Sequence, residues 1–300
     1  MGAESDFIDA LRARATHPSA RGLSDDAALF AGHVITHDML VEGVHYLSSD
    51  PPADVAWKLL AVNLSDLAAK GAAPSAALLG YTLGAPAWDM RFAEGLHAAL
   101  AHFGVTLIGG DTVRTTMGAP RSLGMTLIGR AGPRTPDRAG ARPGDCIYVT
   151  STLGDAGLGL KALRAGIDAP ALIIAYRRPT PQCTAGVALA PHVSAMMDVS
   201  DGLLIDSIRL AATSGVRISI ALDALPLSAA ARAFAGDDLA ARMSAATAGD
   251  DYQLLFSMAE KPPPLPCPVT CIGSVAAGAG LTLAYDGRPV ALPEHLGWEH

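Results

Sequence analysis

The segment Asp198-Val-Ser-Asp-Gly-Leu203 limits the possible structures of this chain more than any other stretch of it. It follows the short apolar run 195–197 and precedes a helical pattern of apolar residues from Leu203 to Leu210. Two carboxylates are therefore expected where a strand meets the N-terminus of a helix. Unpaired buried carboxylates destabilise a fold, whereas divalent cations such as Mg²⁺ prefer oxygen ligands. The segment predicts a strand, a loop and a helix that together hold a divalent cation.

Other acidic residues stand in similar places, beside apolar strands or inside an apolar helix. They lie in Ser24-Asp25-Asp26-Ala27, Thr36-His37-Asp38, Asn63-Leu64-Ser65-Asp66, Gly109-Gly110-Asp111-Thr112 and Gly249-Asp250-Asp251-Tyr252. Together they indicate a site with several metal ions that handles a polyanion. Each motif alone leaves a structural role open: a solvated loop for Asp26, a hydrogen-bonded core acid for Asp66 and an ordinary turn for Asp111.

Composition narrows the class of protein. The chain has 300 residues, of which 50% are hydrophobic and 17% charged, which is enough for a large core and about two domains. A formal net charge of −7 argues against a nucleic-acid binder. No run of about 18 apolar residues is present, so no membrane span is expected. Without a signal-peptide pattern, and with cysteines spaced as structural thiols rather than as a zinc site, the sequence predicts a cytoplasmic protein.

Strand-like and helix-like patterns alternate in both halves of the chain, which predicts mixed α/β (α+β) layers in each. A stretch rich in Pro, Gly and Arg, residues 131–144, marks the predicted boundary between domains at 1–133 and 134–300. The predicted helices include 53–71 and 88–103. The predicted strands include 76–83, 105–108, 123–130, 146–150, 195–197, 216–222, 252–258 and 269–272, with a hairpin turning at Asp286-Gly287.

Common phosphate-binding motifs are missing from the sequence. It has no GxxxxGK[ST] loop and no protein-kinase catalytic loop. The glycines of Gly154-Asp-Ala-Gly-Leu-Gly159 follow a strand and open a helix but do not match GxGxxG. This segment is either a tight strand-to-helix turn or an anion site at a helix N-terminus.

Longer strings of the sequence resemble the thiamine-monophosphate kinase family, in order and over residues 22–298. They are Asp38-Met-Leu-Val-Glu-Gly-Val-His45, Trp57 to Gly71, Leu107-Ile-Gly-Gly-Asp-Thr112, Pro143-Gly-Asp-Cys-Ile-Tyr-Val-Thr150, Asp198 to Leu203 and Gly249-Asp-Asp-Tyr-Gln-Leu-Leu-Phe256. Several of these motifs also occur in the wider AIR synthase-like ATP-binding superfamily. The Val-Glu-Gly-Val-His45 string and an aromatic residue near the C-terminus, here Trp298, are more particular to the kinase.

The resemblance implies an enzyme that transfers a phosphoryl group from ATP to thiamine monophosphate, giving ADP and thiamine diphosphate. It implies two AIR synthase-like domains, of which the N-terminal one binds ATP and metal and forms a dimeric β-barrel in a homodimer. The C-terminal domain would complete the substrate site. By match of motifs, several Mg²⁺ ions would be bound by Asp26, Thr36, His37, Asp38, Asp66, Asp111, Asp198 and Asp201. ATP would contact Gly110, Asp111, Arg138 and Ser200, and the substrate would contact His45, Asp250 and Trp298. No side chain would act as a general base.

The sequence departs from the family pattern at several positions. His37 stands where the family usually has Thr, Asp250 and Gln253 replace two Glu, and Trp298 replaces a common Tyr. Lys70 replaces a common Met and is predicted to lie at the surface.

Other functions stay open on the sequence alone. Another ATP-dependent AIR synthase-like enzyme, such as aminoimidazole ribonucleotide synthetase, is one alternative. A non-catalytic nucleotide-binding module is a second, although acids at all the main metal positions argue against it.

Overall fold

The computed structural model describes residues 3–116, 118–259 and 261–299, with side chains from residue 6 onward. The α-helices are α1 (Ala3–Arg12), α2 (Pro52–Ala69), α3 (Pro86–Phe103), α4 (Asp155–Ala165), α5 (Pro170–Arg177), α6 (Cys183–Leu189), α7 (Leu203–Ser214), α8 (Ala229–Ala235) and α9 (Leu239–Thr247). The strands are β1 (Ala28–Phe30), β2 (His33–Val41), β3 (Ala73–Leu83), β4 (Thr106–Arg114), β5 (Ser122–Arg130), β6 (Cys146–Thr150), β7 (Ala195–Val199), β8 (Arg217–Ala221), β9 (Gln253–Met258), β10 (Val269–Ala276), β11 (Gly280–Tyr285) and β12 (Arg288–Val290).

The first half of the chain forms a five-stranded sheet in the order β1-β2-β5-β3-β4. Its neighbouring strands are antiparallel except β3 and β4, which run parallel because α3 connects them as a crossover. One face of the sheet packs against α2 through Val34, Leu40, Leu123, Met125 and Leu127. On the other face, Met39 and Leu78 are exposed. This second face is called the outer face below.

The second half forms a seven-stranded sheet in the order β12-β11-β8-β10-β6-β9-β7. Its strands pair antiparallel except β8 and β11. The apolar run 195–199 becomes β7 at one edge of this sheet, and every residue of β7 is buried. Because β7 ends at Val199, the carboxylates of Asp198 and Asp201 lie at the end of that edge strand.

Helix α2 lies between the two sheets and is buried on almost every side. Its apolar residues contact the first sheet on one side, while Ala68 and Ala69 pack with β7, β9 and α6 of the second half on the other. A helix that is apolar all round is expected to be fully enclosed. Polar side chains on α2 therefore face either the protein interior or a cavity inside it.

Both halves are mixed α/β layers, as the sequence predicts. In the described residues both sheets are open, so the dimeric barrel stays a prediction, and so does the boundary at residue 133. One element was predicted wrongly. Strand β4 continues past Ile108 through both glycines to Arg114, so Asp111 lies within a strand and not in a turn after it. Gly110 permits this, because a Cβ there would stand 2.0 Å from the carbonyl oxygen of Leu79.

Candidate active site

A cavity of about 540 Å³ opens where α2, β2, β7 and α4 converge. Most of the residues selected from the sequence line it. They are Asp26, Asp38, His45, Asp66, Arg138, Asp198, Ser200, Asp201, Asp250 and Trp298. The volume lies within the range of about 300–1,000 Å³ that is usual for ligand sites. Residues that are far apart in the sequence therefore form a single chamber with an acidic wall.

Three carboxylates form the centre of that wall. One oxygen each from Asp26, Asp66 and Asp198 lies within 4.8 Å of the other two. The three come from the loop before β1, from the last turn of α2 and from the end of β7. A group of three oxygens at this separation can surround one small cation.

Hydrogen bonds hold these acids and their neighbour Asp38 in place. Ser65, on α2, donates to Asp198 Oδ2 at 2.6 Å and so joins the helix to β7. Thr36 Oγ1 donates to Asp66 Oδ2. Asn63 Oδ1 accepts the backbone N–H of Asp38 at 3.1 Å, which fixes β2 against α2. Thr36 itself does not line the cavity, and its predicted role as a metal ligand stays a prediction.

Burial and mutual repulsion raise the affinity of these acids for protons. Burial, followed by the charges of Asp38, Asp198 and Asp26, raises the pKa of Asp66 well above its usual value of 3.8. Burial and the charge of Asp26 likewise raise the pKa of Asp198. Burial, Asp26 and Asp201 raise the pKa of Asp38 to about 6. Without a counter-cation, repulsion among these carboxylates destabilises the folded protein. A bound cation would offset that repulsion.

Asp26 differs because cations of the protein surround it. Burial would raise its pKa, but Lys70 and Arg138 lower the pKa of Asp26 to about 2. Lys70 Nζ lies 2.7 Å from Asp26 Oδ2, and Arg138 forms an ion pair with Oδ1. The predicted surface position of Lys70 is wrong: its side chain is fully buried at the end of α2. The apolar helix keeps the lysine stem inside, and the acids of the loop before β1 supply its partners.

The donor set suits a hard divalent cation. Every side-chain donor in the cluster is a carboxylate oxygen, supported by hydroxyl groups. Asp26 Oδ2 is buried, and Lys70 Nζ lies 2.7 Å from it. Asp66 and Asp198 have hydroxyl partners but, among the described residues, no paired cation, so a divalent ion beside them would supply the positive charge.

The loop after β7 depends on a residue that the sequence analysis missed. Asp206 Oδ2 accepts the backbone N–H groups of Ser200, Asp201 and Gly202, each at 3.2 Å. Arg209 bridges Asp201 at 2.5 Å and Asp206 at 2.8 Å, so a predicted metal ligand is paired with a cation here. The signal was available in the sequence, because Asp206 and Arg209 are charged residues within the apolar pattern of α7.

A second loop, residues 249–252, packs against the loop that follows β7. Its backbone N–H groups at Asp250 and Tyr252 donate to Ser200 and Val199 at 2.7 and 2.8 Å. Asp250 and Tyr252 have φ angles of 68° and 51°, a left-handed conformation that is uncommon outside glycine. Such strain is often found at functional sites.

Lys58 fixes the side chain of Asp250. Its Nζ lies 2.8 Å from Asp250 Oδ2 and 3.0 Å from the carbonyl oxygen of His45, and it sits over the ring of Tyr176. The lysine is almost completely buried in α2. Asp66 was selected from the sequence because it is a charged residue inside an apolar helix. Lys58 meets the same criterion, but the sequence analysis did not select it.

The other predicted substrate residues lie at the mouth of the cavity. His45 Nδ1 accepts the backbone N–H of Val41 at 3.0 Å, so the neutral ring carries its proton on Nε2. The backbone N–H of Trp298 donates to the carbonyl oxygen of Asp201 at 2.9 Å, and its indole is 50% exposed. An indole with this exposure is not part of the hydrophobic core.

The Gly154 segment is a tight turn into α4. The N–H of Gly154 donates to both carboxylate oxygens of buried Asp251, at 2.9 and 2.8 Å. Asp251 thereby takes the place that an external anion would occupy at the N-terminus of α4.

Three predicted residues are not brought to the acid cluster. His37 turns to the outer face, where its Nδ1 lies 2.8 Å from Thr126 Oγ1. Gly110 and Asp111 do not line the cavity. Asp111 pairs with Gly80, Gly80 with Gly124 and Gly124 with Met39, so Asp111 lies three strand spacings, about 14 Å, from β2. Paired residues share a face of the sheet, which places Asp111 on the outer face with Met39.

Two family descriptions cover most of the chain. Residues 24–131 match AIR synthase related protein, N-terminal domain, and residues 142–260 match AIR synthase related protein, C-terminal domain. The cavity lies between these two matched regions, with Asp26, Asp38 and Asp66 from the first and Asp198 and Asp250 from the second.

Individual proteins are similar over nearly the full length. The thiamine-monophosphate kinase of Caulobacter vibrioides is 39% identical over 307 residues, covering 94% of this chain and 86% of that protein. The thiamine-monophosphate kinase of Salmonella typhimurium is 39% identical over 303 residues, covering 93% and 91%. The solved structure of AaThiL complexed with AMPPCP and TMP has a TM-score of 0.87 and 32% identity, covering 98% of this chain and 96% of that one. The chain belongs to the thiamine-monophosphate kinase family, among the AIR synthase related proteins.

Proposed function

We propose that this protein is an ATP-dependent kinase that phosphorylates thiamine monophosphate to thiamine diphosphate. The observation that carries the proposal is the group of Asp26, Asp66 and Asp198 oxygens within 4.8 Å of one another, on the wall of a cavity large enough for a nucleotide. Relatives that cover more than nine-tenths of this chain carry the name of that activity. AaThiL, which shares the fold, was solved with AMPPCP and TMP.

The acceptor chemistry explains why the cavity is rich in acids and has no obvious base. A phosphate monoester has its second pKa near about 6, so at neutral pH it is already a dianion and needs no base to remove a proton. His45 suits this scheme, because Nε2–H is a hydrogen-bond donor and Nδ1 is used by the backbone of Val41. We assign His45 to holding the substrate phosphate and not to proton abstraction.

The kinase family implies a divalent cation, and we propose several Mg²⁺ ions. Asp26, Asp38, Asp66 and Asp198 would hold them, with Asp201 holding a further ion once Arg209 releases it. Bound ions of this kind neutralise phosphate charge and orient the attacking and leaving oxygens. Thr36 would support Asp66, and His37 would act through its backbone oxygen, since its imidazole lies on the outer face.

The nucleotide is placed by cationic and backbone groups on the same wall. Arg138, Arg164 and Arg209 line the cavity together with Ser200. Arg138 and Arg209 are paired with Asp26 and Asp201. We propose that both arginines transfer to ATP phosphates when metal ions occupy those carboxylates, since phosphoryl transfer depends mainly on positioning and charge stabilisation.

Asp250 is the central residue of the part of the cavity that we assign to thiamine monophosphate. Lys58 holds one oxygen of this carboxylate, and Tyr252 donates its hydroxyl to the other at 3.0 Å. A fixed carboxylate can attract the cationic thiazolium ring of thiamine monophosphate. Lys58 thereby allows the shorter Asp250 to stand where the family usually has Glu.

We propose a homodimer that joins through the outer face of the first sheet, which would form the predicted dimeric barrel. Large apolar side chains are exposed on this face at Met39, Leu78 and Val113. Asp111 and Gly110 do not line the acidic cavity of their own chain. In a dimer they would approach the cavity of a second copy, where they would contact metal and ATP.

The domain limits and the cellular location stay proposals. We place the ATP- and metal-binding domain at residues 1–133, the domain that completes the substrate site at 134–300, and the protein in the cytoplasm. None of the helices in the described residues is long and apolar enough to cross a membrane.

A coupled ADP-release assay tests the function. With Mg²⁺ and ATP, we expect ADP to form when thiamine monophosphate is added, and not with thiamine or with formylglycinamidine ribonucleotide, the precursor of aminoimidazole ribonucleotide. Turnover with the latter alone would favour the aminoimidazole ribonucleotide synthetase alternative. ATP binding without turnover on any acceptor would favour a nucleotide-binding module.

Trp298 is expected to cover the substrate rings. An indole face against a cationic thiazolium contributes about 0.5–2 kcal/mol. Trp298→Ala should therefore raise KM for thiamine monophosphate several-fold and leave KM for ATP and Tm nearly unchanged. Trp88→Ala is the matched control. Trp88 packs on Phe92 in the hydrophobic core of the first half of the chain, so its removal should lower Tm without a specific change in KM. A large fall in Tm for Trp298→Ala with unchanged KM would contradict the proposal that Trp298 covers the substrate rings.

A further inference from the structure

Lys70 is the most deeply buried charge beside the acid cluster. Its side chain has 0% exposure, and its Nζ lies 2.5 Å from Asp25 Oδ1 and 2.7 Å from Asp26 Oδ2. It also donates to the carbonyl oxygen of Met196 at 3.1 Å. The ammonium group therefore has three oxygen partners.

Lys70 stands in the middle of a row of alternating charges. Asp25 is paired with Arg21 on its other side, and Asp26 with Arg138. The two arginines are partly exposed, at 15% and 20%, so each can turn away from its carboxylate. Lys70 cannot, because α2 and β7 enclose it. Any ion that binds Asp26 meets a fixed positive charge.

We propose that Lys70 is a built-in counter-cation of the metal site, which neutralises Asp26 in the metal-free protein and weakens the binding of a divalent ion there. The proposal rests on the proposed function, since it assumes that the acid cluster binds divalent ions. Lys70 would thus be a positioning residue. It keeps Asp25 and Asp26 in place before any metal arrives, and it sets how strongly the site holds the ion that Asp26 shares with Asp66 and Asp198.

The test uses Mn²⁺ as the probe and the nucleotide-free full chain. Titration calorimetry gives the Kd for Mn²⁺, and thermal unfolding with and without Mn²⁺ gives the gain in Tm. Lys70→Met should bind Mn²⁺ at least about tenfold more tightly at the affected site, because a like charge close by disfavours a cation by one unit of log K or more. Its Tm should be lower than that of the wild type without metal, and Mn²⁺ should restore most of the loss.

Lys58→Met is the matched control. It also removes a nearly buried lysine from α2, but the partner of Lys58 is Asp250 and not the acid cluster. Its Tm should fall with and without Mn²⁺ alike, and its Kd for Mn²⁺ should match the wild type. Asp25→Asn gives a test in the opposite direction if Lys70→Met fails to fold. Without the charge of Asp25, Asp26 is the one carboxylate that pairs with Lys70, so the Kd for Mn²⁺ should rise several-fold.

The outcomes separate this proposal from the proposed function. Equal Kd values for Mn²⁺ in the wild type and in Lys70→Met would show that Lys70 only supports the fold, with the metal site intact. An unchanged Kd in Asp25→Asn would likewise overturn the proposal. No Mn²⁺ binding by the wild-type protein would overturn both the role of Lys70 and the metal-assisted function.

Discussion

Asp66→Asn is expected to lose at least about 100-fold in kcat, a loss of about 2.7 kcal/mol in transition-state stabilisation, while the metal-free protein becomes more stable. The activity falls because an amide is a much weaker ligand than a carboxylate for the cation that we propose Asp66 shares with Asp26 and Asp198. The fold survives because Asn can still accept the hydrogen bond from Thr36.

The rise in stability follows from the sign of the pKa shift. Burial and three neighbouring carboxylates raise the pKa of Asp66 in the folded protein well above its usual 3.8. The folded state therefore holds this proton more tightly than the unfolded state. The corresponding stability is fully present below pH 3.8 and is lost as the pH rises through the raised pKa. At neutral pH the wild-type side chain destabilises the metal-free fold, and the uncharged Asn removes that cost.

Three measurements check this prediction. Steady-state kinetics should show the loss of kcat. Thermal unfolding in EDTA should show a higher Tm for Asp66→Asn at neutral pH and a smaller fall between about pH 5 and about pH 8. Mn²⁺ should raise Tm less in the variant than in the wild type. An Asp66→Asn protein that keeps more than about a tenth of the wild-type kcat, within about 1.4 kcal/mol, would count against Asp66 as a metal ligand.

Activity is expected to return when two inactive variants, Asp66→Asn and Asp111→Asn, are combined in one dimer. Asp66 lies in the cavity of its own chain, whereas Asp111 lies about 14 Å from β2 and on the outer face. If Asp111 serves the cavity of a second copy, a hybrid dimer contains one intact site and one doubly altered site. Random mixing makes half of the dimers hybrids, so about a quarter of the wild-type activity should return.

Co-expression with two different affinity tags isolates the hybrid dimers. The matched control combines Asp66→Asn with Asp198→Asn, which lie in the same acid cluster of one chain. Each site of that hybrid has one defect, so it should stay inactive. An Asp66→Asn and Asp111→Asn hybrid that is no more active than its parents would place both residues in a single chain's site and contradict the dimer arrangement.

The sequence by itself was enough to predict most of the elements and most of the residues that line the candidate site. Acids at strand ends and inside an apolar helix selected Asp26, Asp66 and Asp198, which the structure brings within 4.8 Å. The reason is local: apolar periodicity shows which segments are buried, and a carboxylate in such a segment needs a partner. The same reasoning applied to Lys58 would have found the residue that holds Asp250.

Only the tertiary structure decided how these charges are paired and on which face each one lies. Lys70 was expected at the surface, yet it is enclosed between α2 and β7 and neutralises two acids of a distant loop. Asp111 was expected beside the other acids, yet β4 extends through Gly110 and carries it to the outer face. Sequence patterns report whether a segment is buried. They do not report which distant segment packs on it, because that depends on strand order and register across the whole sheet.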